Sequence, residues 1–65
     1  MSKNNVRKIR EQLLMSKSEL AKAAGISVLT VGRVERGEDC RMSTKRKIIK
    51  AFGLNVGDKE RVFVG

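Results

Sequence analysis

Apolar positions recur along this chain at helical rather than strand spacing. Val6, Ile9 and Leu13 fall at i, i+3 and i+7, one stripe of a helix over about Asn5 to Leu14, with Arg7, Lys8, Arg10 and Glu11 largely on its other faces. Ser16-Lys17-Ser18-Glu19 has the S-x-x-E form of a capping box. It opens a second helix that runs to about Ala24 and buries Leu20, Ala21 and Ala24. Gly25 follows, where a left-handed backbone carries least strain. Ser27 is a good N-cap for a third helix, Val28 to Arg36, whose Val31 and Val34 continue the inward face until Gly37 ends it.

A mostly polar loop, Glu38 to Met42, leads to a fourth helix. Ser43 is its expected cap, Thr44 to Phe52 its span, and Ile48, Ala51 and Phe52 its buried face, with Gly53 as the stop. In the tail, Asp58 is placed to cap a short fifth helix through Phe63; the alternative is an extended Arg61-Val62-Phe63-Val64. Leu54, Val56, Val62, Phe63 and Val64 either complete the core or form a dimer surface. No segment alternates apolar and polar residues between hairpin signals. The expectation is an all-α fold of four or five helices, a single domain over residues 1–65 with its core at about 5–56.

The central feature is the pair of short helices joined by Gly25-Ile26-Ser27. A helix-turn-helix uses such a turn to hold two helices at a steep angle, so that the second enters the DNA major groove while the first crosses the backbone. With Ala21, Ile26, Val31 and Val34 inward, the outward face of the third helix carries Ser27, Val28, Leu29, Gly32 and Arg33. In a groove, Val28 and Leu29 would meet thymine methyl groups, and Arg33 a guanine O6/N7 edge. Otherwise Val28 and Leu29 pack on the tail or on another protomer, and Arg33 is a solvated or phosphate-binding arginine. Gly32 lets a helix approach bases closely, at about 1 kcal/mol of helix stability. Lys17 opens its helix, where free N–H groups favour a phosphate, and its side chain can reach a base or a phosphate.

Charge narrows the partner. Fifteen Lys and Arg against seven Asp and Glu give a formal charge of +8, which favours polyanions. Base-stacking aromatics are nearly absent, with two Phe and no Trp or Tyr, so RNA is the weaker reading. Cys40 is the only cysteine and there is no histidine, so neither an internal disulfide nor a usual zinc cluster is expected. No nucleophile–base pair stands out, and no enzyme, cofactor or small-molecule ligand is expected. No apolar run approaches the roughly 18 residues of a membrane span, and Met1 to Arg10 lacks the apolar stretch of a signal peptide. These features predict a soluble, cytoplasmic protein.

Leu13-x-x-Ser16-Lys17-Ser18-Glu19-Leu20-Ala21-x-x-Ala24-Gly25-Ile26-Ser27, then Val31-x-x-Val34-Glu35-Arg36-Gly37, then Ile48-x-x-Ala51-Phe52-Gly53-Leu54, resembles the XRE/Cro-type helix-turn-helix family of phage repressors and bacterial regulators. The resemblance covers about Val6 to Val56 and implies a lambda-repressor-like fold in a bacterial or phage-infected cytoplasm. It implies that Lys17, Ser27, Val28, Leu29 and Arg33 read bases. It further implies that Arg36, Ser43 and Thr44, flanked by Arg41 and Lys45, meet phosphates, and that Glu35 pairs structurally with Arg10. Many relatives carry Gln, Ser or Thr where this chain has Val28 and Leu29, so no relative's operator transfers. The usual loop proline is absent near Cys40, so the resemblance does not fix where the fourth helix starts or which residues there meet phosphates. The function expected from these readings is sequence-specific binding of double-stranded DNA by a transcriptional regulator, on a palindromic operator as a dimer. The alternative is a protein-interaction module, an antitoxin or adaptor, using the Val28/Leu29 face.

Overall fold

Residues 4–63 are described by the computed structural model and fold into five helices. They are α1 (Val6–Gln12), α2 (Lys17–Ala24), α3 (Val28–Glu35), α4 (Met42–Ala51) and α5 (Lys59–Val62), with a 3-10 turn at Val56–Asp58 leading into α5. Among the described residues there is no strand, only an isolated antiparallel bridge between Asn4 and Phe63. α2 packs on α3 and α4, α1 on α3, and the 3-10 turn and α5 on α4. The centre is aliphatic: Val6, Leu20, Val31, Val34, Ile48, Ile49 and Val62 are fully buried. Each such side chain contributes about 1.5–3 kcal/mol relative to exposure.

Local chemistry sets the boundaries of α2 and α3. Ser16 Oγ accepts the Glu19 N–H at 3.0 Å while Glu19 Oε1 accepts the Ser16 N–H at 2.9 Å, a reciprocal capping box. Ser27 Oγ accepts the Thr30 N–H at 3.1 Å and starts α3. Between them Gly25 turns the chain at φ 69°. This lets the Ile26 N–H reach the Ala21 carbonyl at 2.9 Å, and Ile26 packs against the core.

Three departures from the sequence reading have physical causes. α1 ends at Gln12; Leu13 is its exposed C-cap, and the buried positions on α1 are Val6 and Arg10. Leu14, expected in the helix, is instead left-handed at φ 57°, because the Met15 N–H closes on the Arg10 carbonyl and the Leu14 N–H on the Glu11 carbonyl, both at 3.0 Å. α4 begins at Met42, with Arg41 as an N-cap that offers no side-chain bond, so Ser43 lies in the first turn and is not the cap. α4 also buries Ile49 beside Ile48, with Ala51 only half-buried, because α2 and the α5 region cover it from two sides.

The tail belongs to the core. Val62 is fully buried and Leu54 and Phe63 pack on the core cluster, while Val56 is exposed and Val64 lies outside the described residues. Asp58 stands at the N-cap position of α5 as expected, but its side chain makes no cap bond there; its carboxylate turns back and accepts the Asn55 N–H at 3.1 Å, at the start of the 3-10 turn. Asn4 and Asn5, just before α1, tie it to the rest of the chain. Asn5 donates its N–H to the Val62 carbonyl at 2.7 Å and its side-chain amide to the Arg61 carbonyl at 2.9 Å. Asn4, itself buried, donates Nδ2–H to the Val34 carbonyl at 2.7 Å and accepts the Val6 N–H.

Candidate nucleic-acid interface

α3 presents two unlike sides. Val31, Val34 and Glu35 are buried, whereas Val28, Leu29 and Arg33 are exposed. Leu29 is 76% exposed, a large apolar side chain in water on a helix whose other side fills the core. Ser27, Val28 and Leu29 occupy the N-cap and first turn of α3. Arg33 lies in its last turn and makes no ion pair among the described residues. Lys17, exposed, is the first residue of α2.

Ser27 is less available than its exposure alone implies. Its oxygen already serves the Thr30 N–H, and its hydroxyl shares a 2.8 Å hydrogen bond with Thr30 Oγ1. Thr30 thus belongs to this edge and went unnoticed in the sequence reading; a hydroxyl three residues past a serine cap is the signal that points to it. Gly32 has no internal packing reason to be small. A Cβ added there would meet only Arg36 Nη1, at an ordinary 3.8 Å.

The Arg10 and Glu35 side chains meet in the α1–α3 junction. Arg10 Nε donates to Glu35 Oε2 at 2.7 Å and Nη2 to Oε1 at 3.4 Å, while Nη1 donates to the Met15 carbonyl at 2.8 Å. The Glu35 carboxylate holds the buried guanidinium's pKa above its ordinary value, first through this hydrogen bond. Both charges are thereby removed from the outer surface.

The phosphate candidates are less uniform. Arg36 is exposed and its guanidinium pairs with Glu38, Nη2 to Oε2 at 3.3 Å. Arg41 and Ser43 are exposed at the start of α4, and Thr44 is half-buried. Lys45 stands apart from them: its ammonium lies 5.5 Å from the centroid of the Phe63 ring, turned toward the tail. Cys40 packs half-buried against the core, and burial pushes its thiol pKa up. Among the described residues no group of His, Cys, Asp and Glu could hold a metal ion, and no helix is long and apolar enough to cross a membrane.

A capped helix packed on the preceding one across a glycine turn, with its outer side exposed and cations beside it, defines a DNA-binding helix-turn-helix. The chain belongs to the HTH_3 helix-turn-helix family of the XRE type, whose model matches residues 6–58 and so includes all of α1 to α4. No curated protein sequence matches the chain.

Proposed function

We propose that the protein is a transcriptional regulator that binds a specific double-stranded DNA sequence, a palindromic operator occupied by a dimer, in the cytoplasm. The observation that carries this reading is the outer side of α3, where exposed Val28 and Leu29 stand on one capped, core-anchored helix with Arg33, which makes no ion pair among the described residues. Leu29 and Val28 suit thymine methyl groups, and the guanidinium of Arg33 suits the two acceptors of a guanine edge. Lys17 and Ser27 complete the base-reading set, Ser27 through the lone-pair capacity its cap leaves over. Arg36, Arg41, Ser43 and Thr44 position the domain on phosphates, with Lys45 available once its ammonium leaves Phe63. Gly32 supports the same reading. A glycine inside a helix costs about 1 kcal/mol relative to alanine, and a Cβ here would fit the protein itself, so close approach of DNA supplies a reason for it.

Two measurements test the proposal. The first is titration of random duplex DNA at low and moderate salt, where binding that weakens steeply with salt is expected. The second is selection of bound sequences from a random duplex pool, where a two-fold symmetric consensus rich in methyl-bearing positions is expected. Failure to bind any duplex at low salt would overturn the reading and leave the exposed Val28/Leu29 side to a protein partner. A consensus without symmetry would remove the dimer.

A further inference from the structure

A second surface lies on the flank of α1 turned away from α3. Arg10 points into the α1–α3 junction, and Lys8, two residues earlier, stands about 200° round the helix from it. Lys8 borders an open cleft of about 320 Å³ between α1, the end of α4 and Arg61 of α5. Ile9, Leu13, Phe52 and Leu54 supply its apolar lining, and the lining contains no Asp or Glu. Arg7, the neighbouring cation on α1, is paired with Glu11, whereas Lys8 and Arg61 make no ion pair among the described residues. The frame of the cleft is fixed. The Asn5 side chain donates to the Arg61 carbonyl at 2.9 Å and the Asn5 N–H to the Val62 carbonyl at 2.7 Å, which ties α5 to the start of α1. None of the residues proposed to meet bases or phosphates lines this cleft.

Leu13 and Leu14 carry the apolar surface past the rim. Leu13 is 48% exposed and Leu14 89%. Leu14 is also left-handed at φ 57°, a conformation that glycine holds at the ends of α2, α3 and α4 and that other side chains resist. The leucine therefore strains its turn while making almost no contact with the core. A strained, exposed side chain of this kind is explained by a contact made outside the domain. We propose that the cleft and the adjoining Leu13-Leu14 tip dock a segment of a partner protein in which apolar anchors are interspersed with carboxylates. The cleft lies at the small end of the range for ligand pockets, about 300–1,000 Å³. It admits an anchoring side chain, while Leu14, outside it, meets the next anchor along the segment. Lys8 and Arg61 pair with the intervening carboxylates, and with no acid in the lining, charge complementarity selects an acidic segment. A second copy of this chain fits poorly, because a two-fold contact sets Lys8 and Arg61 against their own copies. The proposed operator dimer therefore uses another surface, and the docked segment leaves the base-reading side of α3 free.

The test titrates the isotope-labelled full chain with a short amidated peptide in which Leu and Phe alternate with Asp and Glu. Backbone amide shifts locate the contact, and fluorescence anisotropy at physiological salt gives the affinity. Saturable binding is expected, with the largest shifts in α1 and at Leu13, Leu14 and Leu54. Lys8→Glu and Arg61→Glu should each weaken it about tenfold. Leu14→Gly should weaken it at least about fivefold, as for truncation of a contact residue. That variant also relieves the turn, so its melting temperature should hold or rise and its loss of binding is not a folding defect. Lys47→Glu, the same charge change outside the cleft, should alter binding less than about twofold. Circular dichroism confirms that each variant folds. The proposal is overturned by the absence of saturable binding, or by shifts centred away from α1. Equal binding of a peptide with Ser in place of Leu and Phe, or an equal loss in Lys47→Glu, reduces the effect to net charge and overturns it as well. A dimer, seen by sedimentation, that Leu14→Gly dissociates assigns the tip to a second copy instead. A loss of random-duplex affinity in Lys8→Glu as large as its loss of peptide binding assigns the cations to DNA instead.

Discussion

Two arginine–glutamate pairs flank the end of α3, and water separates their roles. Arg10 and Glu35 are 11% and 5% exposed at the side chain, and three hydrogen bonds fix the guanidinium. Arg36 and Glu38 are 66% and 55% exposed and share one carboxylate oxygen. Glu35 and Arg36 are adjacent in sequence, but successive residues point about 100° apart around a helix of 3.6 residues per turn. One therefore faces α1 and the other faces solvent. The buried pair orients α3 against the rest of the protein. The exposed pair leaves a guanidinium whose partner can be exchanged for a phosphate. The same two residue types thus serve scaffold and surface, and burial rather than chemistry decides which.

The largest expected effect comes from breaking the buried pair. Glu35→Ala leaves the Arg10 charge buried without its carboxylate, which costs about 3–5 kcal/mol. A core of this size supplies only about 3–5 kcal/mol beyond the entropy of folding, so this variant should be largely unfolded by thermal melting. The double variant Arg10→Met/Glu35→Leu removes the charge with its partner and should recover most of the loss, less the hydrogen bond to the Met15 carbonyl. An unchanged melting temperature in Glu35→Ala contradicts the scaffold role; a double variant as unstable as the single one places the cost in packing rather than charge.

Arg33 extends the comparison to an α3 cation with no carboxylate partner among the described residues. Arg33→Ala should reduce discrimination between the selected operator and random duplex by about 1–3 kcal/mol, roughly five- to 150-fold, the range for a two-pronged guanine contact. Affinity for random duplex should fall much less. Equal losses on both DNAs would move Arg33 from base to phosphate.

How far these roles were legible depends on how local their signals are. The ends of α2 and the start of α3 were readable because Ser16, Glu19, Gly25 and Ser27 each act within a few residues of themselves. The family resemblance named Arg10 and Glu35, yet periodicity alone put Arg10 among the solvent-facing charges. Only the fold shows that its guanidinium is buried and bonded to the Met15 carbonyl. The start of α4 was misplaced because its N-cap, Arg41, makes no side-chain bond, while Ser43, a strong capping type, sits idle in the first turn. Ile49 was missed because one apolar stripe was counted where two neighbouring elements cover α4. On the candidate interface, exposure of Val28, Leu29 and Arg33 followed from period. The Glu38 partner of Arg36 and the Phe63 partner of Lys45 did not, since exposed charges choose partners by geometry that spacing does not encode.

The turn that presents the Met15 carbonyl to Arg10 offers a smaller test of the buried side. α2 to α4 each end on a left-handed glycine, Gly25, Gly37 or Gly53, whereas α1 ends on Leu14, left-handed and 89% exposed. A side chain in that conformation costs about 1–2 kcal/mol, partly offset by the greater freedom glycine has in the unfolded chain, about 0.5–1 kcal/mol. Leu14→Gly should therefore stabilise the protein by up to about 1 kcal/mol and raise its melting temperature by several degrees. A lower melting temperature would mean that the Leu14 side chain contributes more than its exposure indicates.

The smallest effect on stability is expected at the exposed pair, and there the comparison is sharpest. Glu38→Gln removes a charge from a pair more than half in water, a type that contributes at most about 0.2–1 kcal/mol, so the melting temperature should barely move. DNA binding should respond in the opposite sense to the loss at Glu35. With the carboxylate gone, Arg36 meets a phosphate without first giving up Glu38, and an acid that repels the backbone disappears. Random-duplex affinity should rise a few-fold at low salt, with the salt dependence steepening by up to about one counterion. Operator discrimination should stay level or fall, because the gain is independent of base sequence. If Glu38→Gln leaves random-duplex affinity unchanged while Arg36→Ala lowers it, Arg36 reaches phosphate without competition and the exposed pair is incidental. If neither variant changes it, Arg36 lies off the DNA and the phosphate contacts rest on Arg41, Ser43 and Thr44 at the start of α4.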